Sequence, residues 1–245
     1  MSTLEVDSIV AATSNTDLSL DGAGTGVVNL ATGAELNGTA LTSTFNPYVA
    51  PSTSGNVLTS NGSAWTSAAA GGGATTLIAH ATPTSVSSYD ITGTDATAYS
   101  GYVIDYHLKP ATDDNPIYLR FSTDGGSTFI TGANYEYADW RLNSATTSGA
   151  TVSTGAAHFA LSQGGVSNGA DFASSGRIVI YAPDEADYTY VTWQTSANQT
   201  SGPTYTIVSG AGIFKSTTEP DAFRLVFSSG NIASGQVTVR GINKA

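Results

Sequence analysis

From about residue 76 onward, apolar and polar residues alternate in the two-residue rhythm that sends successive side chains to opposite faces of a strand. In Tyr102 to Lys109, the residues Tyr102, Ile104, Tyr106 and Leu108 share one face while Val103, Asp105, His107 and Lys109 share the other, the pattern of a half-buried antiparallel strand. Ile117, Leu119 and Phe121 alternate with Tyr118, Arg120 and Ser122. Phe223, Leu225 and Phe227 alternate with Arg224 and Ser228, and Val237 and Val239 with Thr238 and Arg240. Together with Ile178 to Tyr181 and Tyr188 to Trp193, this predicts about six strands or more, separated by Gly, Asn, Asp and Pro turns. No amphipathic helical period competes with it. The expected fold is all-β, with a jelly-roll-like β-sandwich over residues 76–245.

The first 75 residues follow another pattern. Residues 1–50 hold aliphatic residues singly or in pairs (Leu4, Val6, Leu18, Leu20, Val27, Val28, Leu30), with no aromatic before Phe45 and no basic residue. Leu18-Ser19-Leu20-Asp21, the turn Gly22 to Gly26, and Val27-Val28-Asn29-Leu30 read as short strands joined by glycine-rich turns. Such a segment buries little by itself. It is expected to share a core between chains, as an intertwined oligomeric segment, with a disordered tail as the alternative. Residues 51–75 place Asn61-Gly62 between Val57-Leu58 and Trp65, a hairpin signal, and then run into an Ala/Gly-rich linker.

Composition narrows the function. The 245 residues carry 8 Lys+Arg against 19 Asp+Glu, a formal net charge of −11, and no Lys or Arg precedes Lys109. A nucleic-acid binder needs cationic surface to displace phosphate counterions, so nucleic acid is excluded as the expected partner. Only 11% of residues are charged, 27 are Gly, and Ser plus Thr make up about a quarter, a balance that favours turns and strands over solvated helices. There is no Cys to form disulfides, and no basic n-region or long apolar run to suggest export or membrane insertion. The expectation is a soluble chain made in a cytoplasm and stabilised by packing or association.

Several short patterns resemble chemical motifs, and most have a simpler reading. Ser122-Thr123-Asp124-Gly125-Gly126-Ser127-Thr128-Phe129 fits the Asp-box pattern and is expected to be a structural hairpin. Gly22 to Gly26 lacks the βαβ context or the Gly-Lys-Ser/Thr of a phosphate loop, and Asp184-Glu185-Ala186-Asp187 reads as a turn. Asp113-Asp114 and that acidic turn do not have EF-hand spacing, and His80, His107 and His158 do not have zinc-ligand spacing. Glu136 and Asp139 are the best carboxylate pair for glycoside hydrolysis, yet they also read as part of an ordinary strand. Hence no catalytic, cofactor-binding or metal-ligating residue is assigned, and no enzyme is expected. Trp140, Tyr188, Tyr190 and Trp193 are candidates for stacking on a glycan, beside Asp, Asn or Gln side chains that bond hydroxyls, with burial in a sandwich core as the alternative for each Trp.

Asp17 to Leu30 resembles a motif near the N-terminus of bacteriophage fibre proteins, and Gly55 to Ser67 resembles a short repeat found between segments of phage tail fibres. Leu119 to Phe129, Tyr135 to Arg141, Tyr190 to Gln194 and Phe223 to Gly235 together resemble a terminal domain of such fibres. The resemblance implies a virion protein on a tail or capsid surface: a homotrimeric fibre or spike. Its N-terminal segment would bind other virion proteins, and its C-terminal domain would contact a host surface glycan or protein. The rival expectation is a purely structural capsid decoration or tail adaptor without a receptor.

Overall fold

The computed structural model describes residues 73–244 except 146–147, 182–186 and 200–203, together with four short strands earlier in the chain. The chain divides into two compact units, Met1–Ala70 and Gly71–Ala245. In the first, β1 (Glu35–Leu36) pairs antiparallel with β2 (Thr39–Ala40), and β3 (Asn56–Ser60) with β4 (Trp65–Ala69). Ser60 stands opposite Trp65, so Asn61-Gly62 falls in the connection between β3 and β4. That connection, the strands expected around Leu18 to Leu30 and the acidic turn Asp184 to Ala186 lie outside the described residues.

The second unit is all-β, with no helix among the described residues. Its strands are β5 (Thr75–Ala81), β6 (Tyr89–Ile91), β7 (Tyr99–Pro110), β8 (Ile117–Ser122), β9 (Tyr135–Asn143), β10 (Ser148–Ala156), β11 (Phe159–Ala160), β12 (Ser174–Tyr181), β13 (Thr189–Gln199), β14 (Thr204–Phe214), β15 (Ala222–Phe227) and β16 (Ile232–Asn243). They form two antiparallel sheets. The larger has eight strands in the order β10-β9-β14-β13-β12-β7-β16-β5, and the smaller has four in the order β11-β8-β15-β6.

The alternation in the sequence decides which face of each strand is buried. Tyr102, Ile104, Tyr106 and Leu108 of β7 are buried, as are Ile117, Leu119 and Phe121 of β8, Phe223, Leu225 and Phe227 of β15, and Val237 and Val239 of β16. The two sheets face each other across an aromatic centre, which makes the unit a β-sandwich. Phe121 of the smaller sheet meets Tyr135 and Phe214 of the larger, as well as Phe159 and Phe223, at ring-centre distances of 5.0–6.2 Å, most of them edge-on as ring quadrupoles prefer. Tyr102 packs on Phe223 at 5.3 Å. The one polar atom of Tyr135 is satisfied inside this centre: its hydroxyl accepts from the Phe121 N–H and donates to the Ile130 carbonyl, both at 2.9 Å. Burial pushes that phenol up to about 12, so it stays neutral.

Close packing also explains a glycine in mid-strand. Gly210 on β14 lies opposite Trp193 on β13, and a Cβ there would come within 2.2 Å of the indole. The bare backbone makes room for the ring.

The Asp-box turn forms, with a different connection from the expected hairpin. Ser122 Oγ and the Thr128 N–H and hydroxyl donate to the Asp124 carboxylate at 2.6–2.8 Å, and Gly125 and Gly126 adopt φ of 71° and 85°, which their missing Cβ permits. These bonds, Thr128 foremost, hold the Asp124 carboxyl down at about 2. The turn follows β8, whose neighbours are β11 and β15, and leads to β9 in the other sheet. It is a crossing between layers, because β9 finds its hydrogen-bond partners in β10 and β14.

Candidate binding face

The outer face of the larger sheet, turned away from the smaller one, collects the exposed apolar side chains. Register fixes its rows. Trp140 on β9 stands opposite Ser209 on β14, then Gln194 on β13, Arg177 on β12, Asp105 on β7, Thr238 on β16 and His80 on β5. A second row runs from Leu142 to Ile207 to Ser196, and a third from Glu136 through Ile213 and Tyr190 to Tyr181.

Two of the four aromatics expected to meet a glycan lie on this face. Trp140 and Tyr190 are each 55% exposed, and strand geometry separates them by about 16 Å. Tyr188, 42% exposed, lies just ahead of β13. Trp193 does not belong with them. It is 2% exposed and packs inward against Tyr137 and Phe159, because Val191, Trp193 and Thr195 share the core side of β13 while Tyr190, Thr192 and Gln194 share the other.

Between Trp140 and Arg177 lies a depression of about 610 Å³ with Ala138, Ser209 and Ala211 on its floor and Thr192 and Gln194 beside them. The small residues are what make it concave. Arg177 is not loose within it: Nε and Nη2 donate to Asp105 at 2.6 and 3.2 Å, and Arg240 Nη1 donates to the same carboxylate at 2.7 Å. The Arg177 hydrogen bond is the main cause holding the Asp105 carboxyl below its usual range. Sequence reading missed Arg177, Gln194, Leu142, Tyr205 and Ile207 on this face, although the even–odd alternation of β13 and β14 carries the signal for the last two and for Gln194.

The carboxylate pair does not form. Glu136 and Asp139 are three residues apart on β9, so they project from opposite faces: Glu136 lies on the outer row and pairs with Lys215 at 3.4 Å, while Asp139 points inward and is buried. His80 bonds Thr238 and His107 bonds Ser175, each through Nδ1, while His158 stacks on Tyr118, and these histidines share no site. Asp113 accepts from the Asn168 N–H at 3.0 Å. No group of three or more His, Asp or Glu side chains suited to a metal ion is found among the described residues.

Comparison with known proteins finds no matching family model, no matching curated protein and no matching solved structure.

Proposed function

We propose that the chain is a subunit of a homotrimeric bacteriophage fibre or spike, carried on the virion surface. In this reading residues 1–50 attach it to other virion proteins, and the domain of residues 76–245 contacts the host surface. The observation that carries the reading is the apolar outer face. Trp140, Leu142, Val152, Tyr181, Tyr190, Tyr205 and Ile207 are all exposed on one side of the larger sheet. These side chains are 44–73% exposed, and apolar exposure gathered on one face marks an interaction surface. Further copies of the chain are the natural cover, since closed symmetric homo-oligomers are the usual solution and this face bears few unpaired charges; the number three follows from the fibre resemblance.

The winding of the domain supports the same reading. Its antiparallel pairs nest: β5 with β16, β6 with β15, β7 with β12 and β8 with β11. That nesting supports reading the domain as a four-pair ribbon rolled into two sheets, a jelly roll of the kind found in viral capsid and lectin domains. The pairs β9–β10 and β13–β14 then widen one sheet. Function follows from avidity: three weak sites on one head, multiplied by several copies per particle, hold a cell that one site would release.

Two measurements test this. Sedimentation of the full chain at micromolar concentration is expected to give a trimer, and Ile207→Asp with Trp140→Asp to loosen it; a wild-type monomer overturns the association. Fluorescently labelled protein is expected to bind some host strains saturably and others not at all. Absence of binding to every strain that the particle infects would favour the decoration or adaptor role.

A further inference from the structure

The larger sheet has eight strands and the smaller four, so one end of the larger runs past the edge of the smaller. That edge is β11, only two residues long, after which the chain turns through residues 161–164. Between this edge and the inner faces of β9 and β10 lies a cleft of about 530 Å³, opposite in aspect to the apolar outer face. Asp139 and Arg141 of β9 and Thr151 of β10 line it, together with Tyr118, His158 and Gln163.

Its polar groups are buried and incompletely used. Asp139 is 5% exposed; Oδ1 accepts from the Gln163 side-chain amide, and Oδ2 has no partner. Arg141 Nε and His158 Nδ1 are likewise buried without one. Three such atoms lining one cleft are costly for folding alone, since buried polar groups in native proteins are nearly always paired. The surround is held in place. Leu161 N–H donates to the Ile117 carbonyl at 3.0 Å, Ile117 N–H to Ser162 Oγ at 3.2 Å, and the Gln199 amide to the Gln163 carbonyl. Tyr118 and His158 stack with ring centres 3.6 Å apart and planes 20° from parallel, presenting a flat aromatic pair.

We propose that this cleft binds an uncharged saccharide: Asp139 Oδ2 accepts from one hydroxyl, Arg141 Nε donates to a neighbouring hydroxyl oxygen, and the sugar ring lies against the Tyr118–His158 pair. Adjacent hydroxyls are the common biological group that offers a donor and an acceptor side by side, which suits an unpartnered carboxylate oxygen and an unpartnered guanidinium N–H two residues apart on one face of β9. The charges on the lining explain why the ligand is neutral. Asp139 and Arg141 offset each other, and burial, aided by the nearby Arg120, pushes His158 down to about 4, leaving it uncharged. The chain as a whole, at −11, disfavours an anion. The site holds a sugar without cutting it, because Asp139 is the one carboxylate among the described lining residues and glycoside hydrolysis takes two. The inference stands on the cleft and holds whether or not the chain forms a virion fibre.

The test is a titration of the full chain with glucose, galactose, mannose and N-acetylglucosamine, and with glucuronate as the anionic comparison, followed by backbone amide NMR. Saturable shifts at residues 137–141 and 149–164 with at least one neutral sugar are expected. Asp139→Asn, Arg141→Met and the cleft-filling Thr151→Trp should each weaken that sugar about tenfold to a hundredfold. Leu77→Ala, 61% exposed on β5 at the far edge of the larger sheet, should leave its affinity unchanged. Absence of saturable shifts with every neutral sugar up to about 50 mM, well beyond the millimolar range of weak binding, overturns the proposal. So does binding that all three cleft variants retain, or shifts confined to Trp140 and Tyr190. A negative titration on a chain that sediments as a trimer and binds cells defeats the cleft alone.

Discussion

The inner face of β9 changes character along its length. Tyr135 and Tyr137 at its start sit in the aromatic centre beneath Phe121 and Phe159, while Asp139 and Arg141, two and four residues further on, meet a cleft. Both ends lie between β10 and β14, with a bulge in β10 opposite Tyr135–Tyr137; the larger difference is whether the smaller sheet covers them. Where it does, ring packs against ring and the single phenol oxygen of Tyr135 is fully bonded. Where it stops, the same face carries charged groups with open hydrogen-bonding capacity. One end of the strand is specialised for stability and the other for recognition.

The contrast is sharpest under substitution. At the covered end, Phe121→Ala removes the ring that touches four others in a site of zero exposure, and is expected to cost about 3–5 kcal/mol by urea denaturation. A loss well under 1 kcal/mol would mean that this centre does not hold the sheets together. Gly210→Ala drives a methyl into the Trp193 indole and should cost about 1–3 kcal/mol, with tryptophan fluorescence shifting as the ring moves.

The polar end should answer to pH instead. Burial raises the Asp139 carboxyl to about 6, with Arg141 opposing, and lowers His158 to about 4. A raised carboxyl gives stability that is present below its unfolded value of about 3.9 and is lost as pH rises through 6. A lowered imidazole gives stability that is present above about 6.5 and is lost as pH falls through 4. Between these limits the two slopes oppose and largely offset. His158→Gln should expose the first, so that stability rises as pH is lowered from about 6.5 to about 4, and Asp139→Asn should expose the reverse. If both variants keep the wild-type profile, neither group is buried as described.

On the outer face the effect on folding should be smallest. Trp140→Ser is expected to change unfolding free energy by no more than about 0.5 kcal/mol, while reducing association seen in sedimentation. A large loss of stability there would show that Trp140 packs within its own chain.

Much of the sandwich was legible because its strands alternate. β7, β8, β15 and β16 bury the residues that a period of two selects. β5 and β10 were not legible, because Ser, Thr, Gly and Ala fill much of them and leave no strong contrast between faces; strand partners supply their hydrogen bonds all the same. The separation of Glu136 from Asp139 was readable from their odd spacing on a strand. The cleft was not, since Tyr118, Asp139 and the His158–Gln163 segment come from three separate stretches of chain.

What the sequence by itself determined is therefore local: strand rather than helix, the two-faced character of each strand, the lack of cysteine and the lack of a cationic surface, all of which follow from residue type and a spacing of two. Only the tertiary structure decided which face is the inside. β9 and β13 carry aromatics on both faces, and periodicity separates Trp193 from Tyr190 without saying which meets the second sheet. That choice depends on long-range pairing, which places β7 between β12 and β16 and ends the smaller sheet at β11. The same pairing leaves Asp139 buried at an open edge, beside Arg141 and His158, with hydrogen-bonding capacity unspent.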